Sequence, residues 1–247
     1  MIDAGIVGHR FAGSNRWLRA VEEYAVECSI IKVALSEYCN YVADEMVQIH
    51  GGYGYVADYP AERAYRDSRI NRIFEGTNEI NRLLVSSRLM NCAASKPWLS
   101  TPPEFIDKPG FAEDEDLFTE ERKLVDKAKR VVLASLQAAA QSNKLPLSEQ
   151  QVIMLGIADV IIDTFAMESA ILRAKTTSSY QVDITQVFCS DAMQRIEATV
   201  RSTLSAMPGG NEISDLLTAD PRFTPRTTVA LRQRIAKTLI EAERWIS

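Results

Sequence analysis

Residues 14–52 read SNRWLRAVEEYAVECSIIKVALSEYCNYVADEMVQIHGG. The apolar side chains Trp17, Val21, Tyr24, Cys28, Ile31, Leu35, Tyr38, Val42, Met46 and Ile49 recur three or four residues apart. That spacing draws one stripe down an α-helix. The first break is Gly51-Gly52, so the pattern predicts a single very long helix that stops there. A helix of this length needs neighbours to cover its stripe, which points to a helical bundle. Strand signals are nearly absent from the rest of the chain, and the fold class is all-α.

Working outward, 247 residues suffice to bury a core. A hydrophobic share of 46%, a charged share of 25%, 11 glycines and 9 prolines exclude a disordered or fibrous chain. The net charge of -5, from 28 basic and 33 acidic residues, argues against nucleic-acid binding, which needs a basic face. Cys28, Cys39, Cys92 and Cys189 stand far apart. Without a signal peptide they are expected to be buried thiols of a reducing compartment, so the expected location is cytoplasmic. Two histidines and no Cys-x-x-Cys or His-x-x-x-His suggest no metal site, and no run of about 18 apolar residues suggests a membrane span.

Past the double glycine, Pro60 suits the first turn of a short helix, and Thr77 can cap another, with Glu79 meeting the positive end of its dipole. Residues 68–76 between them read as a loop. Residues 93–118 hold Pro97, Pro102, Pro103 and Pro109 with no sustained period, the signature of a connector. Four amphipathic stretches follow, at about 120–141, 149–176, 184–207 and 226–246. Ser148 with Gln151 and Asp183 with Gln186 read as capping boxes, Leu147 as a staple onto Val152, and Thr224-Pro225 as a cap followed by a first-turn proline. Short turns between the four favour an antiparallel bundle.

The segment richest in chemistry is QIHGGYGY at 48–55, followed by ERAYRDSRINRIFEGTNEI at 62–80. The double glycine permits close backbone approach by a ligand or another subunit, or it is a plain helix stop. Arg63, Arg66, Arg69 and Arg72 recur every third residue, and form either a cationic face or internal ion pairs. Over 60–90, six arginines against four carboxylates leave a net of +2, which selects neither reading. Glu75 lies between bulky Phe74 and flexible Gly76 just before a helix. A carboxylate so flanked can be desolvated, a condition that suits a general base, although a solvated surface glutamate is the commoner case.

These residues resemble the C-terminal signature of the acyl-CoA dehydrogenases. The pattern is Gln-x-x-Gly-Gly-x-Gly, then Glu-Arg-x-x-Arg-Asp-x-Arg, then Glu-Gly-Thr-Asn-Glu-Ile, and the likeness covers roughly residues 14–90. The later helices are similar in layout to the extra domain of the very-long-chain type. The resemblance implies three segments: residues 1–92 as the C-terminal part of the catalytic helical domain, 93–118 as an acidic connector, and 119–247 as an additional antiparallel bundle. It implies FAD-dependent α,β-dehydrogenation of long-chain acyl-CoA thioesters, with Glu75 as the base that takes the α-proton while hydride leaves the β-carbon for FAD. Phe74 and Gly76 would face the substrate, and Thr77 and Glu79 the FAD. Gln48, Gly51 and Gly52 would touch the adenosine part of an FAD held mainly by a neighbouring subunit.

The implied partners are acyl-CoA, an electron-transferring flavoprotein and a second copy in a homodimer. The family's other two domains are not within this chain, so it is expected to be inactive alone. A non-catalytic assembly module and an acyl-CoA oxidase are the rival readings. Peripheral membrane contact, known for the very-long-chain type, is disfavoured here because residues 93–119 carry two lysines against six carboxylates; the mitochondrial matrix is the location implied for a eukaryotic protein. Trp98, Met154, Met167 and Met193 are expected to pack, and His50 to serve the helix end.

Overall fold

The computed structural model describes residues 22–94, 117–141, 147–174, 179–207, 209–218 and 227–244, and every regular element among the described residues is helical. The α-helices are α1 (Ala25–His50), α2 (Pro60–Arg69), α3 (Asn78–Ala94), α4 (Thr119–Gln141), α5 (Leu147–Ala174), α6 (Ser179–Ser202), α7 (Gly210–Thr218) and α8 (Val229–Ala242), with 3-10 turns at Gly51–Tyr55, Ile70–Arg72 and Leu204–Ala206. The chain divides into two compact units at Leu89.

In the first unit α1 stops as the glycines predict: Gly51 takes φ 59°, ψ -139° and the chain tightens into a 3-10 turn. α2 starts at Pro60 and α3 one residue after Thr77, as expected. The stretch read as a loop from Ser68 is helical through Arg72, and only residues 73–76 turn. α2 packs on α1.

The face of α1 that is buried is not the expected stripe. Ser29, Ile30, Val33, Ala34, Ser36 and Ala43 are covered, whereas Cys28, Ile31, Leu35, Tyr38, Val42 and Ile49 are exposed, Leu35 by 60% and Ile49 by 83%. Adjacent helix positions differ by about 100° in azimuth, so α1 carries a small-residue face and a large-apolar face side by side. The neighbours within this unit cover the small one. Trp17 and Val21 lie outside the described residues. Tyr53, Tyr55, Ile70, Ile73, Phe74 and Ile80 are exposed as well.

The second unit has a finished core. Phe118, Val125, Leu136, Ile157, Met167, Ile171, Met193, Ile196, Leu204 and Ile213 are all essentially inaccessible. α5 packs on α4 and α6, α8 on α6, and α7 on α4. Only five residues join α4 to α5 and four join α5 to α6. Such links reach roughly 20 Å at most, against about 42 Å of helix in α5, so consecutive helices must run antiparallel. α8 buries none of its side chains and is held to α6 by the forks Arg232–Asp191 and Arg234–Asp183.

Several boundaries differ from the sequence reading. α6 begins at Ser179, so Asp183 is no cap; its carboxylate takes Arg234 across the interface instead. α7 lies between the third and fourth stretches, where the sequence reading placed no helix. The last helix starts after Thr228, and Thr224-Pro225 lies outside the described residues, as do Trp98, the connector from residue 95 to 116, and the side chains of Leu147, Ser148 and Cys92. Met167 and Met193 fill the core as expected. The cysteines are not uniformly buried: Cys28 and Cys39 are exposed on α1, while burial beside negatively charged Glu121 pushes the Cys189 thiol up to about 12.

The contrast between the two units is testable by denaturant unfolding. Ile196→Ala should cost about 2–5 kcal/mol in the second unit by opening a cavity, whereas Leu35→Ala should change stability by less than about 0.5 kcal/mol because Leu35 is 60% exposed.

Candidate active site

Thr77 builds the start of α3 by accepting the Ile80 amide on Oγ1 at 3.3 Å. Glu79 follows in the first turn, where its own backbone N–H and the Thr77 hydroxyl hold its carboxyl below the usual range. Immediately before the cap, Glu75 (φ 53°) and Gly76 (φ 81°) both adopt left-handed backbone. For Gly76 this conformation is free, and a Cβ there would press to 3.1 Å from the Asn81 amide nitrogen. For Glu75 it costs about 1–2 kcal/mol, which the surroundings must overcome.

Those surroundings are a polar hub around Asn78, whose side chain is wholly buried. Its amide nitrogen donates to Ser36 Oγ at 2.9 Å and Glu37 Oε1 at 3.0 Å, and its carbonyl oxygen accepts Lys32 Nζ at 2.7 Å. Lys32 Nζ also donates to the Gly76 carbonyl at 2.7 Å, which Asn81 Nδ2 reaches from the other side at 2.9 Å. Arg82 forks onto both oxygens of Glu37 at 2.7 and 2.9 Å. Burial alone would disfavour the Glu37 charge, but the hydrogen bonds from Arg82 and Asn78, with the Arg82 and Arg72 charges, hold its carboxyl below the ordinary range.

The turn therefore gathers Phe74, Glu75, Gly76, Thr77 and Glu79 into one place. Gln48, Gly51 and Gly52 are not among them. They sit exposed at the far end of α1, and Gln48 lies 16 residues past Lys32, about 24 Å along the helix. Around Gly51 and Gly52 the space is open, and the close backbone approach in this segment belongs to Gly54, where a Cβ would fall 2.5 Å from the Val47 carbonyl oxygen. Glu75 and Phe74 are exposed, so the ring beside the carboxylate does not by itself exclude water. Two of the four arginines form the internal pairs Arg66–Glu62 and Arg63–Asp67, and His50 donates from Nδ1 to the Met46 carbonyl at 2.8 Å. Among the described residues no three His, Cys, Asp or Glu side chains converge as metal ligands.

Sequence reasoning missed Lys32, Ser36, Glu37 and Asn78. Positions 32, 36 and 37 are three of many polar positions on α1, among them Glu27, Asn40, Asp44, Glu45 and Gln48, and nothing in their spacing names the loop 40 residues later that they hold.

The chain is similar to known proteins in both sequence and fold. Two family models, each described as "Acyl-CoA dehydrogenase, C-terminal domain", match residues 15–90 and 127–220. The chain is 37% identical to a probable acyl-CoA dehydrogenase of Bacillus subtilis (strain 168), over 92% of this chain and 41% of that protein. It is 47% identical over 64 residues to the human mitochondrial short-chain specific acyl-CoA dehydrogenase, 26% of this chain and 16% of that protein. The crystal structure of an acyl-CoA dehydrogenase complexed with FAD from Bacillus anthracis superposes with a TM-score of 0.85 at 36% identity, over 100% of this chain and 45% of that one. The chain thus spans less than half the length of these relatives.

The hub has a pH signature. A carboxyl held low in the folded state stabilises above its unfolded value, near 4.5, and loses that contribution as pH falls through the folded value. Glu37→Gln should therefore cost about 1 kcal/mol at pH 7, the low end for a charged hydrogen bond because Glu37 is partly exposed. The gap to the parent protein should close in acid, as read by thermal melts from pH 7 to pH 3.

Proposed function

We propose, from the premise that this chain belongs to the acyl-CoA dehydrogenase family and carries its C-terminal region, that it supplies the catalytic base and part of the flavin surface of an enzyme that desaturates acyl-CoA thioesters. In this reading residues 1–92 complete the catalytic helical domain, 93–118 connect, and 119–247 form an additional bundle. The observation that carries it is Glu75: a non-glycine residue fixed in left-handed backbone, at a helix start riveted to α1, within a patch of uncovered apolar side chains.

The chemical problem is the weak acidity of the carbon next to a thioester. A carboxylate held in a rigid turn can accept that proton without first reorganising, provided water is excluded when substrate and the remaining protein close over it. FAD, when bound, supplies the acceptor for the hydride that leaves the β-carbon. The residues present fit one wall of such a site. The bare, open backbone at Gly51-Gly52 with exposed Gln48 offers a surface for the adenosine part, and Thr77 and Glu79 flank the base for the reactive part. The turn is tied to α1 at Lys32, which lies about 24 Å along that helix from Gln48, a separation in keeping with flavins shared across a homodimer. In this reading the backbone N–H of Glu75 polarises the thioester carbonyl. Phe74 and the uncovered apolar residues beside it favour a long acyl chain, and electrons leave to an electron-transferring flavoprotein.

In the complete FAD-loaded protein, Glu75→Gln should slow flavin reduction by acyl-CoA about 10²- to 10⁴-fold, and the parent's kcat/KM should rise from four-carbon to sixteen-carbon substrates. Undiminished flavin bleaching by the Glu75→Gln variant would overturn the base assignment, and a maximum at four carbons would overturn the chain-length reading. This chain alone, offering one wall, should show no sub-micromolar FAD binding in a fluorescence titration.

A further inference from the structure

We propose that Lys32 is a positioning residue for Glu75, acting with Asn78 as a clamp that fixes the left-handed turn from α1. The proposal rests on the reading of Glu75 as base and goes beyond it, because neither side chain would touch substrate or flavin.

The geometry is that of a turn pinned at both ends. Before Glu75, the Ile73 and Phe74 amides both donate to the Ile70 carbonyl, at 2.9 and 3.2 Å, closing the end of the Ile70–Arg72 segment. After it, the Gly76 carbonyl is gripped by Lys32 Nζ at 2.7 Å and Asn81 Nδ2 at 2.9 Å. Between those anchors stand two residues, both with positive φ. Fixing the Gly76 carbonyl fixes its ψ, which leaves Glu75 little freedom except its own side-chain torsions. Lys32 is the one of the two donors on that carbonyl that comes from outside α3. Without it, turn and helix could tilt together away from α1.

Asn78 makes the lysine's position definite. Its carbonyl oxygen takes a second proton of the same ammonium at 2.7 Å, while its amide nitrogen is committed to Ser36 and Glu37. A long flexible side chain is thereby held by two acceptors in a single place, with one acceptor buried and itself immobilised. A lysine serving only solubility would need neither bond. A base that must meet a carbon acid within a few tenths of an ångström gains from both, since a misplacement of about 1 Å costs about 10²-fold in rate.

The test compares Lys32→Met, which keeps the apolar stem and removes both bonds, with Lys32→Arg, which keeps donors at that position; Asn78→Ala removes the buried hub and risks unfolding. In this chain alone, Lys32→Met should raise amide exchange at residues 74–77 about tenfold and leave α5 and α6 unchanged. In the complete FAD-loaded protein, Lys32→Met should slow flavin reduction about 10- to 100-fold with the acyl-CoA KM unchanged. It should also enlarge the primary isotope effect with α-deuterated acyl-CoA, because proton removal becomes more nearly rate-limiting; Lys32→Arg should recover most of both. Faster exchange with an unaltered rate and isotope effect would overturn the proposal by making the bond merely structural, and so would no change in any of the three. Glu75→Gln in the same protein separates the two ideas. If it still reduces flavin, the base reading fails and takes the clamp with it; if it is inert, the Lys32 variants alone decide the clamp.

Discussion

The first unit turns on one buried amide. Asn78 has no exposure to solvent, so each of its polar atoms needs a partner within the protein. It finds them on α1, in Lys32, Ser36 and Glu37. An unpaired buried amide costs about 1–3 kcal/mol, so the pairing ties the start of α3 to one place along α1. Everything attached to that start is then placed as well: the Thr77 cap, the Glu79 carboxylate, and the reversed turn carrying Glu75. The left-handed backbone at Glu75 persists because this frame outweighs its cost.

The two units solve the burial problem differently. The second closes its own core, with Ile157, Met167, Met193 and Ile196 sealed among consecutive antiparallel helices. The first buries Ile30, Val33, Ala34, Ala43, Ala61 and Val85, mostly small side chains, and leaves Ile31, Leu35, Val42 and Ile49 bare. Small residues let α2 approach α1 closely but bring little apolar area with them. The large residues on the adjoining face hold most of the unit's unused hydrophobic free energy, about 25 cal/mol for each Å² that a partner would cover.

This division explains what the sequence disclosed. Helix class, the Gly51 stop, the Pro60 start and the Thr77 cap were legible because each is set within a few residues by local backbone chemistry. The buried face of α1 was not. Periodicity ranks the most apolar face first, whereas the face of α1 that is buried mixes Ile30 and Val33 with the small residues Ser29, Ala34, Ser36 and Ala43. Asp183 misled for a related reason: an acidic residue three before a glutamine satisfies a local capping pattern, but its carboxylate answers to Arg234, 51 residues away. In the site, motif resemblance singled out Glu75 and its neighbours, whereas the residues that hold them reach back more than 40 positions, beyond any local signal.

A long helix also imposes a constraint that no flexible link could. α1 rises about 1.5 Å per residue, so the hub at residues 32–37 and the open backbone at 51–52 are held apart by a distance that side-chain motion cannot close. One patch carries a carboxylate on a strained turn, and the other offers uncovered main chain at a helix end. Ligand groups engaging both at once must span that distance, whether within one extended molecule or between two bound copies. The exposed side chains Tyr38, Val42 and Ile49 occupy the interval between the patches.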